Sequence, residues 1–564
     1  MMVIRKSVLA LFLIGLTVLP ALSRSADRDD PSRDELPPSI LPIVILQGSD
    51  YEMGAQYGRQ AAAYIQTTRE AKWASALREF SRDDIERALQ ANQHYIKKFT
   101  PEWIEFMRGM ADGSTTAGYP LTYRDVLLMN MTLPKPETSH FPEGAEGASL
   151  PPKRCSVCSA WDSATADGRL IGIDTLDSPE MMTAVLIAAF PDRGNAYLCG
   201  ADAGEIGDHF LMNDRGLFLG NSGGGGSPRD EDNDYGLCWA CSLPYLVRFC
   251  DTAVEARDRL LNWHINIPEN FHLVDVHGQA FVVEKTAALQ CVRKPGDFGE
   301  RDFLFSTNNY LCEKMRVTKK GDFVGGHGGY GAYAAPRNKM IWDLLHNYHG
   351  RIDLDFAKMI LRFPGEAPPY PPENGWDAMF CRPSNLWTAV VRPHDGDEGI
   401  AHICTGPVGR VLHASLASDG SVMRPTYHYA AGTHTFYRLR LAAGPDALAA
   451  AALTAAEEEI AAAYEKLMFL NFRDTGYTGL SALYGKAVEE SQLARNRLHQ
   501  ARLAAGGRAL ALYARSASLA TRCQAHARQV FEALVPPPTS PSDLGLKPFG
   551  GDWGKWETRV GKKR

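Results

Sequence analysis

The feature that most limits what this chain can fold into is a change of periodicity at Cys155. From there to Thr405 the sequence reads as short apolar strands, among them Cys155–Trp161, Arg169–Ile173, Met182–Phe190, Ala196–Gly200, Phe210–Met212, Leu217–Leu219, Phe271–Val276, Ala280–Val283 and Phe303–Ser306. Thr388–Arg392 and Ala401–Thr405 read as the last strand pair. Asp167–Gly168 is a strong two-residue hairpin signal, and His277–Gly278 is a second. On either side the pattern is helical. It runs from Tyr51 to about Ala117, with Trp73, Phe80, Tyr95, Phe99 and Trp103 as core anchors, after a short β-rich run at Leu41–Leu46. From about Asp446 the chain turns Ala-, Leu- and Arg-rich, with helices expected over 448–468 and 480–535 and breaks near Asp474–Thr478 and Gly506–Gly507. An apolar sheet covered by helices is the economical way to bury such a middle. The expected class is α+β.

The start of the chain sorts separately. Arg5 and Lys6 precede an apolar run to Leu22, followed by Ala21, Ser23, Ser25 and Ala26 and then the charged run Asp27–Asp30. That order is the pattern of a secretory signal over 1–26, with the cut between Ser23 and Ala26 left open. The apolar core is shorter than the roughly 20 residues of a spanning helix, and no later stretch qualifies, so no integral membrane span is expected. The implied location is periplasmic or extracellular, or lumenal in a eukaryote. Residues 27–154 then form a helical pro-region, 155–440 the core, 441–535 a helical addition and 536–564 an extended tail. A formal charge of −6 on 564 residues argues against a nucleic-acid partner, which asks for a basic surface.

Eleven cysteines remain to be explained. An exported chain can form disulfides, and an odd number leaves at least one thiol unpaired within it. Cys155 stands where the Pro-, Gly- and charge-rich stretch 133–154 gives way to the first strand and turn. A thiol needs a base, and no histidine lies near in sequence, although a distant one could be near in space. Cutting the Arg154–Cys155 bond would supply one, because the new α-amino group, with a pKa of about 8, can take the thiol proton. Cys158 is the rival nucleophile.

The stretch Cys155–Ser156–Val157–Cys158–Ser159–Ala160–Trp161, closing through Ala164–Thr165–Ala166–Asp167–Gly168, resembles the nucleophile hairpin of the penicillin acyltransferase-type autoproteolytic cysteine hydrolases, an N-terminal-nucleophile (Ntn) family. The similarity extends over most of 41–410, through Gln47–Gly54, Ala203–Gly207, Met212–Leu217, Leu273–Asp275, Glu284 and Ser306–Tyr310. It implies a four-layer αββα sandwich, no metal or organic cofactor, and acyl transfer to water from a small acyl-amide or peptide-like substrate. It also implies roles. Cys155 is both the self-cleavage and the catalytic nucleophile. Asn308 is an oxyanion donor, Asn213 a second donor, and Arg337 an active-site arginine. In a segment where this chain departs from that pattern, Asp174 is the candidate to orient the Cys155 amine, with Asp177 an alternative.

The chain departs from the pattern in places. Ile173–Asp174–Thr175–Leu176–Asp177 stands where relatives carry other residues, and is also similar to the phospholipase B-like Ntn proteins, which keeps a lipid substrate open. Asn309 replaces a common histidine, and Arg154 precedes the nucleophile. An inactive exported binding relative also stays open. Cys155-x-x-Cys158 and Cys238-x-x-Cys241 mimic a zinc ribbon at too long a separation. Gly223–Gly226 lacks the Lys-Ser or Lys-Thr of a phosphate loop, Asp230–Asp234 reads as a solvated loop, and His327 as a loop histidine.

Overall fold

The computed structural model describes residues 41–133, 155–177, 183–224, 235–315, 330–363, 385–395, 398–406, 410–413, 426–429, 435–468 and 477–546. The signal at 1–26, Arg154, Asp230–Asp234 and His327 lie outside the described residues. Strand β1 (Ile43–Gly48) comes first. Ser49 then starts helix α1 (Asp50–Gln60) with a capping box, in which its hydroxyl accepts the Glu52 N–H and the Glu52 carboxylate answers the Ser49 N–H. The same device opens α3 (Arg82–Phe99) through Ser81 and Asp84, and α5 (Tyr123–Met129) through Thr122 and Asp125; α2 (Ala62–Glu79) and α4 (Glu102–Thr116) lie between.

Helices α1 and α4 cross through facing glycines. A Cβ at Gly54 would lie 1.9 Å from the Phe106 oxygen, and one at Gly113 2.1 Å from the Ala55 oxygen. Gly58 and Gly109 are equally tight against Met110 and Tyr51. Each helix thus carries two glycines four residues apart, and the backbones touch where any side chain would part them.

The remaining strands form two sheets. The first has eight strands in the order β1, β4 (Ala184–Pro191), β5 (Tyr197–Asp202), β6 (His209–Asn213), β7 (Leu217–Gly223), β8 (Glu269–Asp275), β9 (Ala280–Lys285) and β10 (Gln290–Arg293). The second has six: β11 (Phe303–Ser306), β2 (Ser156–Asp162), β3 (Gly168–Asp177), β12 (Asn385–Asp395), β13 (Glu398–Thr405) and β16 (Tyr437–Leu441). β14 (Arg410–His413) and β15 (Thr426–Tyr429) pair separately. The expected Asp-Gly hairpin joins β2 to β3, with Gly168 at φ +77°. The pair expected to be the last, β12 and β13, is followed by β16, which pairs antiparallel with β13. β1, from ahead of Cys155, pairs parallel with β4, so the first sheet includes a strand from the N-terminal region.

Alternation along β2 shows how the sheets are buried. Val157 and Trp161 enter a core shared by both sheets, with Leu186, Leu198, Phe218 and Val282 opposite. Cys158 and Ala160 point the other way, into a cluster with α8 (Tyr330–Asn347) and α9 (Leu354–Arg362). The far face of the first sheet, with Val185, Ile187 and Cys199, packs on α1–α5 together with α6 (Trp239–Phe249) and α7 (Ala253–Asn262).

Each sheet has two edge strands, and side chains close one edge of each, at β1 and at β16. On β1, Gln56 binds the N–H and C=O of Gln47, and Gln60 those of Ile45, so α1 supplies the ladder that a further strand would make. The C-terminal helices α10 (Pro445–Leu467), α11 (Tyr477–Leu503) and α12 (Gly506–Leu534) complete the cover. From α12, Ser518 accepts the Ile43 N–H of β1, and Gln524 bridges the N–H and C=O of Arg438 on β16. Cys291 and Cys312 form a disulfide. Among the described residues no helix is long and apolar enough to cross a membrane.

Candidate active site

Cys155 immediately precedes β2 and belongs to the core between the sheets, with 6% of its surface exposed. One strand over on β3, Asp174 lies opposite Val157 and is fully buried. Its neighbour across the intersheet gap is Gly220 on β7, where a Cβ would lie 2.9 Å from the Asp174 carboxylate. Glycine there leaves room for a carboxylate between two apolar sheets.

A β-bulge brings the third member. Between β5 and β6, Leu198 pairs with Met212 and Gly200 with His209, so β6 carries one residue more than β5 over the same span. Phe210, inside the bulge, sits at φ +40°, a costly conformation for a bulky residue. The Asp174 carboxylate holds that turn by accepting the Phe210 N–H at 2.7 Å. Its other oxygen lies 2.9 Å from His209 Nδ1. Beside a carboxylate, Nδ1 carries the proton. Nε2 of His209 then faces Cys155 Sγ at 3.9 Å and an Asp208 oxygen at 3.5 Å. The sulfur and the carboxylate from one sheet and the imidazole from the other, standing between them, form one chain, Cys155–His209–Asp174.

Burial alone would lower the His209 pKa, but the carboxylates of Asp208 and Asp174 outweigh it and hold the imidazole well above its ordinary value. Burial pushes the Cys155 thiol up, His209 draws it down, and the nearby Asp177 carboxylate adds to the rise. Glu269, at the start of β8, is raised well above the usual carboxyl range by burial and then by Asp208.

On its other side Cys155 is held by Arg337 from α8, which is 1% exposed. Its guanidinium donates to the Cys155 carbonyl and the Ser156 hydroxyl, both at 2.9 Å, and to Asn308 Oδ1 at 3.0 Å. The Asn308 amide in turn donates to the Gly223 carbonyl at 3.3 Å. The segment around Asn308 is pinned by Asn270, which donates to the carbonyls of Thr307 and Asn309, and by Asn338, which donates to Asn309 Oδ1.

No protein-family model matches the sequence. An uncharacterized protein of Archaeoglobus fulgidus is 35% identical over 190 residues, which is 32% of this chain and 32% of that protein. The chain thus spans about a third of the length of the curated relative it matches. Among solved structures, a Caenorhabditis elegans ortholog of N-acylethanolamine-hydrolyzing acid amidase aligns with a TM-score of 0.30 at 14% identity, covering 43% of this chain and 94% of that one. A variant of conjugated bile acid hydrolase from Clostridium perfringens gives 0.29 at 16%, covering 44% and 89%. Penicillin V acylase from Agrobacterium tumefaciens gives 0.27 at 12%, covering 44% and 83%. Matches at this level do not assign the chain to a family.

Of the residues singled out from the sequence, Cys155, Asn308 and Arg337 are joined through direct bonds, and Asp174 reaches Cys155 through His209. Asp177 is held by the Asn385 amide. Asn213 is placed otherwise. Its amide nitrogen donates to Val247 O and Cys250 O, and its oxygen accepts the Arg215 and Leu217 N–H groups. The first two bonds tie the β6–β7 turn to α6 and its C-cap, and the other two close the turn itself. Cys158 points to the opposite face of β2, where burial pushes its thiol up. Cys238 and Cys241 both bond to the Asn130 carbonyl, at 3.1 and 3.3 Å.

His209 is the residue that sequence reasoning missed. The one signal available was a polar Asp208–His209 pair opening an apolar strand. That signal does not name a partner 54 residues away.

Proposed function

We propose that this chain is an exported cysteine hydrolase of the Ntn type that cleaves an acyl-amide bond through a thioester on Cys155, after cutting itself at Arg154–Cys155. The observation that carries this reading is the placement of the Cys155 sulfur at the head of a hairpin between two sheets, with an imidazole on one side and the Arg337–Asn308 pair on the other. The order of the packed clusters, helices on the first sheet, sheet on sheet, then helices on the second, agrees with the four-layer αββα sandwich that goes with such a nucleophile.

In this reading the α-amino group freed by the cut takes the thiol proton, and the thiolate attacks the substrate carbonyl. Asn308 turns its amide from the Gly223 carbonyl to the developing oxyanion, while Arg337 keeps its side chain in place. Such a donor contributes about 3 kcal/mol because it stabilises charge only where charge develops. Asn213, with four backbone bonds, supports the fold of the β6–β7 turn instead. Water then cleaves the thioester. The region ahead of the cut stays attached, because β1 pairs with β4 and α1–α5 pack on the first sheet.

Intact-mass and N-terminal analysis of the purified chain tests the cut: the wild type yields a fragment beginning at Cys155, and Cys155→Ala stays whole. A wild type that stays whole under every maturation condition sinks the Ntn mechanism. A panel of N-acyl amides and phospholipids then tests the substrate class. Turnover of phospholipids alone would replace amide hydrolysis by lipid acyl hydrolysis on the same sulfur, and no turnover of either would mark an inactive relative.

A further inference from the structure

An amine formed by the cut cannot assist the cut that forms it. Before cleavage the Cys155 nitrogen is an amide, which has no basic lone pair. The Cys155 proton must therefore leave by another route, and the leaving nitrogen needs a proton from another donor. Within the proposed Ntn reading, we infer that His209 is the acid–base catalyst of self-cleavage, held in place by Asp174 and flanked by Asp208.

The geometry supplies each part. His209 Nε2 is 3.9 Å from Cys155 Sγ, and the residue is 1% exposed, which holds the ring at the sulfur. Asp174 from β3 fixes Nδ1 at 2.9 Å, and the Trp387 ring from β12 stands edge-on at 6.0 Å. Asp208 lies at 3.5 Å, with Glu269 of β8 beyond it, and Asp177 borders the sulfur. Two carboxylates favour the imidazolium, so the reactive form is a thiolate–imidazolium pair, reached when the thiol–imidazolium pair releases one proton, that of the thiol, to the solvent. The sulfur attacks the carbonyl carbon of residue 154, closing a five-membered ring, and the carbonyl electron pair moves onto its oxygen. Collapse breaks the C–N bond while the imidazolium gives its proton to the Cys155 nitrogen. The products are a thioester, a free α-amine and a neutral imidazole. That imidazole takes a proton from the attacking water, whose oxygen bonds to the acyl carbon as the C–S bond breaks. The sum is one peptide bond and one water giving a carboxylic acid and an amine.

The test follows cleavage of the full chain by intact mass from pH 5 to 9. His209→Gln is expected to slow it by about 100-fold or more. Asp208→Asn, which leaves the imidazole in place, is expected to move the midpoint of the pH–rate profile to lower pH, because one of the charges holding protons on the pair is gone. Added imidazole is expected to restore part of the rate in His209→Gly, which separates lost chemistry from lost folding. If Cys155→Ala is cut like the wild type, the Ntn reading itself fails. If Cys155 is required but His209→Gln is cut within about threefold of the wild-type rate, the Ntn reading stands and this inference fails. An unmoved Asp208→Asn profile together with no imidazole rescue also overturns it.

Discussion

Asp174→Asn exchanges one oxygen for an NH2 group in a fully buried side chain, and the site has no room for the exchange to be silent. The carboxylate meets two donors, His209 Nδ1 at 2.9 Å and the Phe210 N–H at 2.7 Å. An amide has one acceptor. If its oxygen faces Phe210, its NH2 faces His209, and the imidazole must give up its Nδ1 proton and turn neutral. If its oxygen faces His209, the Phe210 N–H is stranded in a turn already at φ +40°. A hydrogen bond to a charged group contributes about 1.5–3 kcal/mol, and a stranded buried donor costs about 1–3 kcal/mol, so the expected loss is about 2–4 kcal/mol. The pH dependence has a definite sign. The folded-state pKa of His209 is raised above 6.5, so its stabilisation is complete below that value and is lost as pH rises through the folded one. The gap between the two proteins should therefore be widest near pH 6 and narrow as the solution becomes alkaline. Urea unfolding of Cys155→Ala with and without Asp174→Asn measures it free of self-cleavage. A difference below about 1 kcal/mol at both ends of the range would refute the claim that this carboxylate holds both the bulge and the imidazolium.

Three further outcomes are expected. Gly54→Ala puts a methyl group 1.9 Å from the Phe106 oxygen and should lower stability by about 1–3 kcal/mol or more by parting α1 from α4; an unchanged thermal midpoint would show that the crossing is looser than described. Asn213→Ala removes four bonds, two to carbonyls and two from N–H groups, so it should destabilise by about 2–4 kcal/mol while leaving turnover per folded molecule intact, whereas Asn308→Ala should cut turnover by about 100-fold. Lost turnover without lost stability in Asn213→Ala would return that residue to the oxyanion site. Breaking the Cys291–Cys312 disulfide by paired serine substitution should cost about 3 kcal/mol, from its 21-residue separation, and a melt insensitive to reductant would contradict this.

What could be read from the sequence was local. The β2–β3 hairpin was legible because side-chain alternation and Asp167–Gly168 act within a few residues. The breaks at Asp474–Thr478 and Gly506–Gly507 were visible in the same way, and α11 and α12 begin close to them, at Tyr477 and Gly506. Candidates carried over from resemblance fared according to what surrounds them. Arg337 and Asn308 are joined at Cys155, but Asn213, in a segment that also resembles the family, has its amide taken up by backbone.

The strand-rich middle, its helical flanks and the cysteine at the head of a hairpin are properties of neighbours in the chain, and the sequence alone determined them. The partner of that cysteine is not. His209 belongs to one sheet and Asp174 to the other, and they meet only when the sheets close over Gly220 and a bulge turns β6 by one residue. Packing between sheets depends on register and close approach, which no periodicity encodes, so tertiary structure alone decided which of sixteen histidines faces the sulfur.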